Sequence, residues 1–219
     1  YIGPFTFNCV RNLIGGLVLL PCIALLNRIT PDAASRQLTA TPEGKRTLLR
    51  GGLACGMILF AASNLQQIGI QHTTVGKAGF ITALYIILVP IFSLFLKKKC
   101  GVNVWIGVFL ALIGFYLLTM KGSFSLSSGD LLVLLCSVVF TLHILVIDYF
   151  SPRTDGVKMS CIQFFVCGIL SGVMMLLTEE PHIPVILAAW QLVLYAGVLS
   201  CGVAYTLQII GQRNFNPTI

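Results

Sequence analysis

Leu65-Gln66-Gln67-Ile68-Gly69 returns 142 positions later as Leu207-Gln208-Ile209-Ile210-Gly211. Each copy closes a long apolar segment. If the segments between them all cross a membrane, the two copies lie on helices running in opposite directions. An echo between antiparallel helices is the mark of an inverted repeat.

Composition makes the membrane reading firm. Apolar residues form 57% of the 219-residue chain and charged residues 10%, with a mean hydropathy of +0.93. A soluble domain carries roughly 25% charged residues, so this chain lacks the polar surface to face water. The net charge of +7 does not form one stripe, which argues against nucleic acid. Eight cysteines are present, seven of them (Cys9, Cys22, Cys55, Cys136, Cys161, Cys167, Cys201) inside apolar runs and one, Cys100, after three lysines. With no CxxC they read as small packing residues, so neither a metal nor another cofactor is expected.

A spanning helix needs ~20 mostly apolar residues. Seven segments qualify, at about 5–27, 51–71, 76–96, 103–120, 130–150, 159–178 and 186–209. The second and third are joined by a very short turn. Eleven Lys and Arg residues fall between spans one and two, three and four, and five and six, or after span seven; only Lys77 and Lys121 fall on the opposite side. The positive-inside rule places loops 28–50, 97–102 and 151–158 in the cytoplasm. Residues 28–50, polar and basic, read as a loop.

The second span then runs outward and the seventh inward, as the echo requires. A second match, Cys9-Val10-Arg11-Asn12-Leu13 with Cys161-Ile162-Gln163-Phe164-Phe165, has an offset of 152. The offsets differ by ten because the first of the two equivalent loops is longer by about that much. The repeat is therefore five helices long, which divides the chain at 1–120 and 121–219. The chain opens at Tyr1 without Met and stops at Ile219 after a turn. The expectation is an intact protein of ten spans, with one more before Tyr1 and two completed after Ile219.

In this order the motifs resemble the EamA-type proteins of the drug/metabolite transporter superfamily. They are Gly3-Pro4-Phe5 through Arg11, Gln66 through Ala78 across the tight turn, Gly79 through Pro90, Ser128-Gly129-Asp130, and Tyr205 through Pro217. The resemblance covers essentially the whole chain. It implies an all-α polytopic membrane protein of two inverted five-helix halves, cytoplasmic termini and a central substrate path.

Candidate path residues follow from polarity inside apolar runs. Arg11 lies six residues past Phe5, ~9 Å below the outer surface at 1.5 Å per residue. Two readings stand: it holds a substrate carboxylate or phosphate by a bidentate fork, or it snorkels and ties helices. Asn64, Gln67 and Gln71 share one face of the second span, either a wall of the path or interhelical hydrogen bonds. Gln66 points elsewhere, toward a neighbouring helix. Thr82 and Tyr85 share a face in span three, where Pro90 frees a carbonyl near Ile86. His143 is the one histidine inside a span, either a proton relay or a structural hydrogen bonder. Gln163 takes in span six the place of Arg11 in span one. Asp130 reads as a helix cap, and Gly168 with Gly172 as a close-packing pair.

No P-loop, HExxH, nucleophile elbow or carboxylate pair is present, so an enzyme is not expected. The leading function is a secondary transporter, on the resemblance an exporter of small metabolites, amino-acid-like or drug-like solutes, working by alternating access. Its partners would be the lipid bilayer, a small solute and a coupling proton or ion; a homodimer stays open. The expected location is the plasma (inner) membrane of a bacterium. The alternatives are a non-transporting scaffold or receptor, which would need larger extramembrane parts, and an intramembrane enzyme, which would need a clustered acid/base set.

Overall fold

A computed structural model describes residues 2–29, 38–95, 101–119 and 127–208, with the backbone only for 29, 103 and 115–119. The described residues are helical, with no strand among them. In chain order they form α1 (Pro4–Ile29), α2 (Pro42–Ile70), α3 (Val75–Ala83), α4 (Tyr85–Phe95), α5 (Val102–Thr119), α6 (Ser128–Phe150), a 3-10 turn (Ser151–Arg153), α7 (Gly156–Thr178), α8 (Ile183–Ala188), α9 (Trp190–Leu194) and a π-helix (Tyr195–Tyr205). Six stretches are long and apolar enough to cross a membrane: Pro4–Arg28, Pro42–Ile70, Val75–Phe95, Ser128–Arg153, Gly156–Thr178 and Trp190–Gln208. The fourth expected span is α5, whose apolar stretch of fully described residues, Val104–Gly114, is shorter. Of the second pentapeptide copy, Ile209 to Gly211 lie outside the described residues.

Three expectations are corrected. Residues 42–50 are not loop but the first turns of α2. Thr41 Oγ1 accepts the Gly44 N–H at 3.1 Å, Pro42 opens the helix and Glu43 suits its positive end. Span three is interrupted at Leu84, upstream of the carbonyl expected to be freed by Pro90; Leu84 N–H bonds back three residues, to Ile81 O at 3.2 Å. Span seven is not one helix either. Ala189 (φ −100°, ψ 17°) separates α8 from α9, and the chain then widens into the 11-residue π-helix.

The chain forms two compact units, residues 1–60 with 146–214 and residues 61–145 with 215–219. In the first, α1 packs antiparallel to α7. A Cβ on Gly168 would meet Leu13 Cδ2 at 2.9 Å and its backbone N at 3.2 Å; one on Gly172 would meet Cys9 Sγ at 3.1 Å, and one on Gly16 the Phe165 ring at 3.1 Å. The glycine pair read from sequence is thus the seam of the unit. The π-helix lies parallel to α1, with Gly197 against Ile14 and the Arg11 carbonyl and Cys201 against Gly15. α2 joins through Gly52 on Ile162 and Gly56 on Val166. Toward its N-terminal half Cys55, Ile147 and Met159 are fully buried, with Leu48, Val146 and Phe150 around them.

In the second unit the end of α2 runs against the start of α6. A Cβ on Gly69 would meet Val133 and the Gly129 carbonyl. The α2–α3 turn carries Thr74, whose hydroxyl caps α3 by accepting from Lys77 N–H.

Side chains are sorted inside out relative to a soluble protein. Small and polar groups fill the seams, while Leu17, Leu20, Phe109, Leu110, Leu176 and Leu177 are exposed. Lipid tails are as apolar as leucine, so helices are held by close contact rather than by apolar burial. Gly168→Ile should therefore cost about 1–3 kcal/mol in a detergent unfolding assay. Gly79→Ala, in helix α3 with nothing within 4 Å of the added methyl, should raise stability by roughly 0.5–1 kcal/mol.

Candidate functional site

The candidate residues fall in both units. Arg11 and Gln163 belong to the first; Asn64, Gln67, Gln71, Thr82, Tyr85 and His143 belong to the second.

In the first unit, Arg11 is half-buried on α1. Its guanidinium carbon lies 5.4 Å from the centroid of the Phe7 ring, one turn nearer the N-terminal end of α1, the direction in which an arginine there would snorkel. Its Nε is buried and has no hydrogen-bond partner among the described residues. A cation over an aromatic face gains roughly 0.5–2 kcal/mol, and a planar cation with donors to spare suits a carboxylate or phosphate.

Gln163 is fully buried on α7. The pairings of Cys9, Leu13 and Gly16 with Gly172, Gly168 and Phe165 put it level with the residues just after Gly16. It therefore sits about 10 Å deeper along α1 than Arg11, at 1.5 Å per residue.

Sequence reading missed Asn8 and Asn12, 0% and 1% exposed on the inner face of α1. Asn12 Nδ2 donates to the Asn8 carbonyl at 2.7 Å, and Cys201 Sγ lies 3.8 Å from Asn12 Oδ1. The signal was available: two amides at i, i+4 in an apolar run share a face.

In the second unit, Asn64 and His143 are buried, Gln67 is half-buried, and Gln71 is exposed in the turn just after α2. Gln71 thus leaves the helical face expected for it. Gln66 does bond a neighbouring helix, donating to Thr82 Oγ1 at 3.0 Å. Thr82 spends its own proton on the Ala78 carbonyl at 2.7 Å, so its hydroxyl is a helix tie. Tyr85 and His143 flank Phe140, with ring centroids 6.4 Å and 6.5 Å from it.

Asp130 caps α6 as expected and does more. Ser127 and Asp130 form a reciprocal capping box: Asp130 N–H to Ser127 Oγ at 3.1 Å, Ser127 N–H to Asp130 Oδ2 at 2.9 Å. The same carboxylate accepts from Thr73 Oγ1 at 2.5 Å and Lys77 Nζ at 3.0 Å. One aspartate thereby pins the α2–α3 turn to the start of α6. Asp130→Asn should lower stability by about 1–2 kcal/mol, measured by thermal unfolding in detergent. Lys77→Met should cost less than about 1 kcal/mol, because its side chain is about a third exposed.

The EamA-like transporter family profile matches residues 1–120 and again 127–219. A protein of Archaeoglobus fulgidus described as an uncharacterized transporter is 31% identical over 175 residues, 78% of this chain and 48% of the relative. The chain thus spans about half the length of that relative. A protein of known crystal structure, 21% identical, superposes with a TM-score of 0.70 over 97% of this chain and 71% of its own; the two share a fold.

Proposed function

The chain belongs to the EamA-like transporter family, and from that premise we propose that it is part of a secondary transporter that exports small metabolites, amino-acid-like or drug-like solutes by alternating access. It is a multi-pass integral membrane protein; the proposed location is the plasma membrane of a bacterium. The coupling species would be a proton or an ion.

One observation carries the reading: polar side chains line the buried faces of helices whose outer faces are leucine. Asn8, Asn12 and Gln163 in the first unit, and Ser63, Asn64 and His143 in the second, are at most 4% exposed. Amides and imidazoles are costly in hydrocarbon and mark pathways more often than lipid faces. The interruption at Leu84 and the π-helix add irregular backbone at membrane depth, tolerated where it lies inside protein or lines a path. Arg11, Asn64, Gln67, Gln71, Thr82, Tyr85, His143 and Gln163 remain the proposed path residues, with Thr82 the weakest because its hydroxyl is already spent.

The two halves, 1–120 and 121–219, are proposed as inverted repeats, and the α1–α7 seam supports this. With an offset of 152, Leu13 is the counterpart of Phe165 and Gly16 of Gly168. The seam sets Leu13 on Gly168 and Phe165 on Gly16. Each contact is the image of the other, as a two-fold axis in the membrane plane requires.

Purified full-length protein in proteoliposomes should move members of a panel of labelled amino acids and organic anions. If none moves while a soluble partner binds stably, the transporter reading fails. Arg11→Gln should lower flux of anionic solutes roughly 10- to 100-fold, the worth of one charge-assisted contact, and leave folded protein in the membrane. Equal loss of folding would favour a structural arginine. A reporter fused after Glu180 should read as external; a cytoplasmic signal would overturn the topology.

A further inference from the structure

α1 has no cap of its own. Its first intrahelical bond runs from Phe7 N–H to the Gly3 carbonyl at 2.9 Å, which makes Gly3 the N-cap, a residue with no side chain to offer. The two N–H groups that an N-cap side chain normally satisfies are those of Phe5 and Thr6. Both are taken by Glu179, 173 or 174 residues away in sequence: Phe5 N–H to Oε1 at 2.9 Å and Thr6 N–H to Oε2 at 2.8 Å. The Thr6 hydroxyl adds a third bond, 2.5 Å to Oε2. By contrast, Thr41, Thr74, Ser127 and Asp155 cap α2, α3, α6 and α7 from the adjoining residue.

Gly3 also leaves room for the borrowed cap. A Cβ there would stand 2.3 Å from the Glu179 carboxyl carbon. A serine or aspartate at position 3 would cap α1 in every conformation; glycine makes the cap conditional on Glu179 being present. Glu179 directly follows α7, so the contact joins the outer ends of α1 and α7.

Deeper down, these helices interdigitate through Leu13 on Gly168 and Phe165 on Gly16. Beyond the end of α7, a cavity of about 220 Å³ lies between the start of α1 and residues 179–186, lined by Ile2, Gly3, Thr6, Glu179, His182 and Ile186, among others. The seam thus carries tight glycine contacts along its length and, at its end, a polar clasp beside a cavity.

We propose that Glu179 is an outer latch: its carboxylate holds the start of α1 closed against α7 and lets go when the outer side opens. The proposal rests on the alternating-access reading, but its test needs no solute and so can fail independently of it.

Native Cys9 is the reporter. It is 7% exposed and lies one turn below Thr6, facing Gly172. Protein in lipid nanodiscs is treated with a hydrophilic maleimide, and modification of the Cys9 peptide is followed by mass spectrometry. The deciding variant is Gly3→Asp with Glu179→Ala, which gives α1 a local cap and removes the latch. Cys9 should then react at least about tenfold faster than in the parent, since a shift of the closed–open equilibrium reads directly as accessibility. A rate equal to the parent's would make Glu179 a cap and nothing more. A double variant that does not fold would make the carboxylate part of the fold rather than a movable clasp; either result overturns the proposal.

Discussion

The first unit of this protein depends on one seam, where α1 and α7 touch backbone to side chain through glycine. In lipid there is no gain from hiding leucine, so helices join where atoms can approach most closely and where polar groups need an answer. Gly168 and Gly172 admit Leu13 and Cys9, and Gly197 lets the π-helix approach the Arg11 carbonyl. The same close approach buries Asn8, Asn12, Gln163 and Ser171 away from the tails. Packing and polarity are thus two consequences of one arrangement. Wherever a larger residue would keep the helices apart, an amide would also lose its shelter.

Helix ends obey the same accounting. The first N–H groups of each helix need acceptors, and α2, α3, α6 and α7 carry their own. Asp130 shows how much one carboxylate can do, serving its own helix start while holding Thr73 and Lys77 of the α2–α3 turn. Glu179 serves the start of a helix to which it does not belong. A local cap stabilises a helix; a borrowed one also reports whether two helices are together.

The legible parts of the fold were those written in local composition. Length and apolarity located the membrane segments, and Gly168 and Gly172 announced the seam. The start of α2 was misread because charges at Lys45, Arg46 and Arg50 suggested a loop, although Thr41-Pro42-Glu43 is a helix-start signature. The π-helix had no signal, since Tyr195–Tyr205 has the composition of any spanning segment and its widening depends on what packs against it. Among site residues, Arg11 was visible as a charge in an apolar run. Glu179 carried no local signal, because its role exists in a contact between residues 173 apart. Gln71 was placed on a helix that ends one residue before it, a boundary fixed by the turn to Thr74 rather than by hydropathy.

The seam also bears on how evenly the two sides of the membrane are treated. On the proposed repeat, the axis relating α1 to α7 passes between the Leu13–Gly168 and Gly16–Phe165 contacts. Arg11 and its counterpart Gln163 then lie about 5 Å to either side of it, from the helical rise. The backbone is related by symmetry at this level, yet one position carries a charge and the other a neutral amide. On the proposed alternating-access cycle, two conformations that a perfect repeat would make equal in energy would be unequal, and an anionic group would meet a favourable step at Arg11 with no equal at Gln163. Glu179 adds to the same imbalance, since it clasps the start of α1 at the end of α7, whereas the start of α7 is capped by its own Asp155. On the proposed cycle, a near-symmetric backbone would allow two states, and the unsymmetrical charges at Arg11 and Glu179 would bias the balance between them.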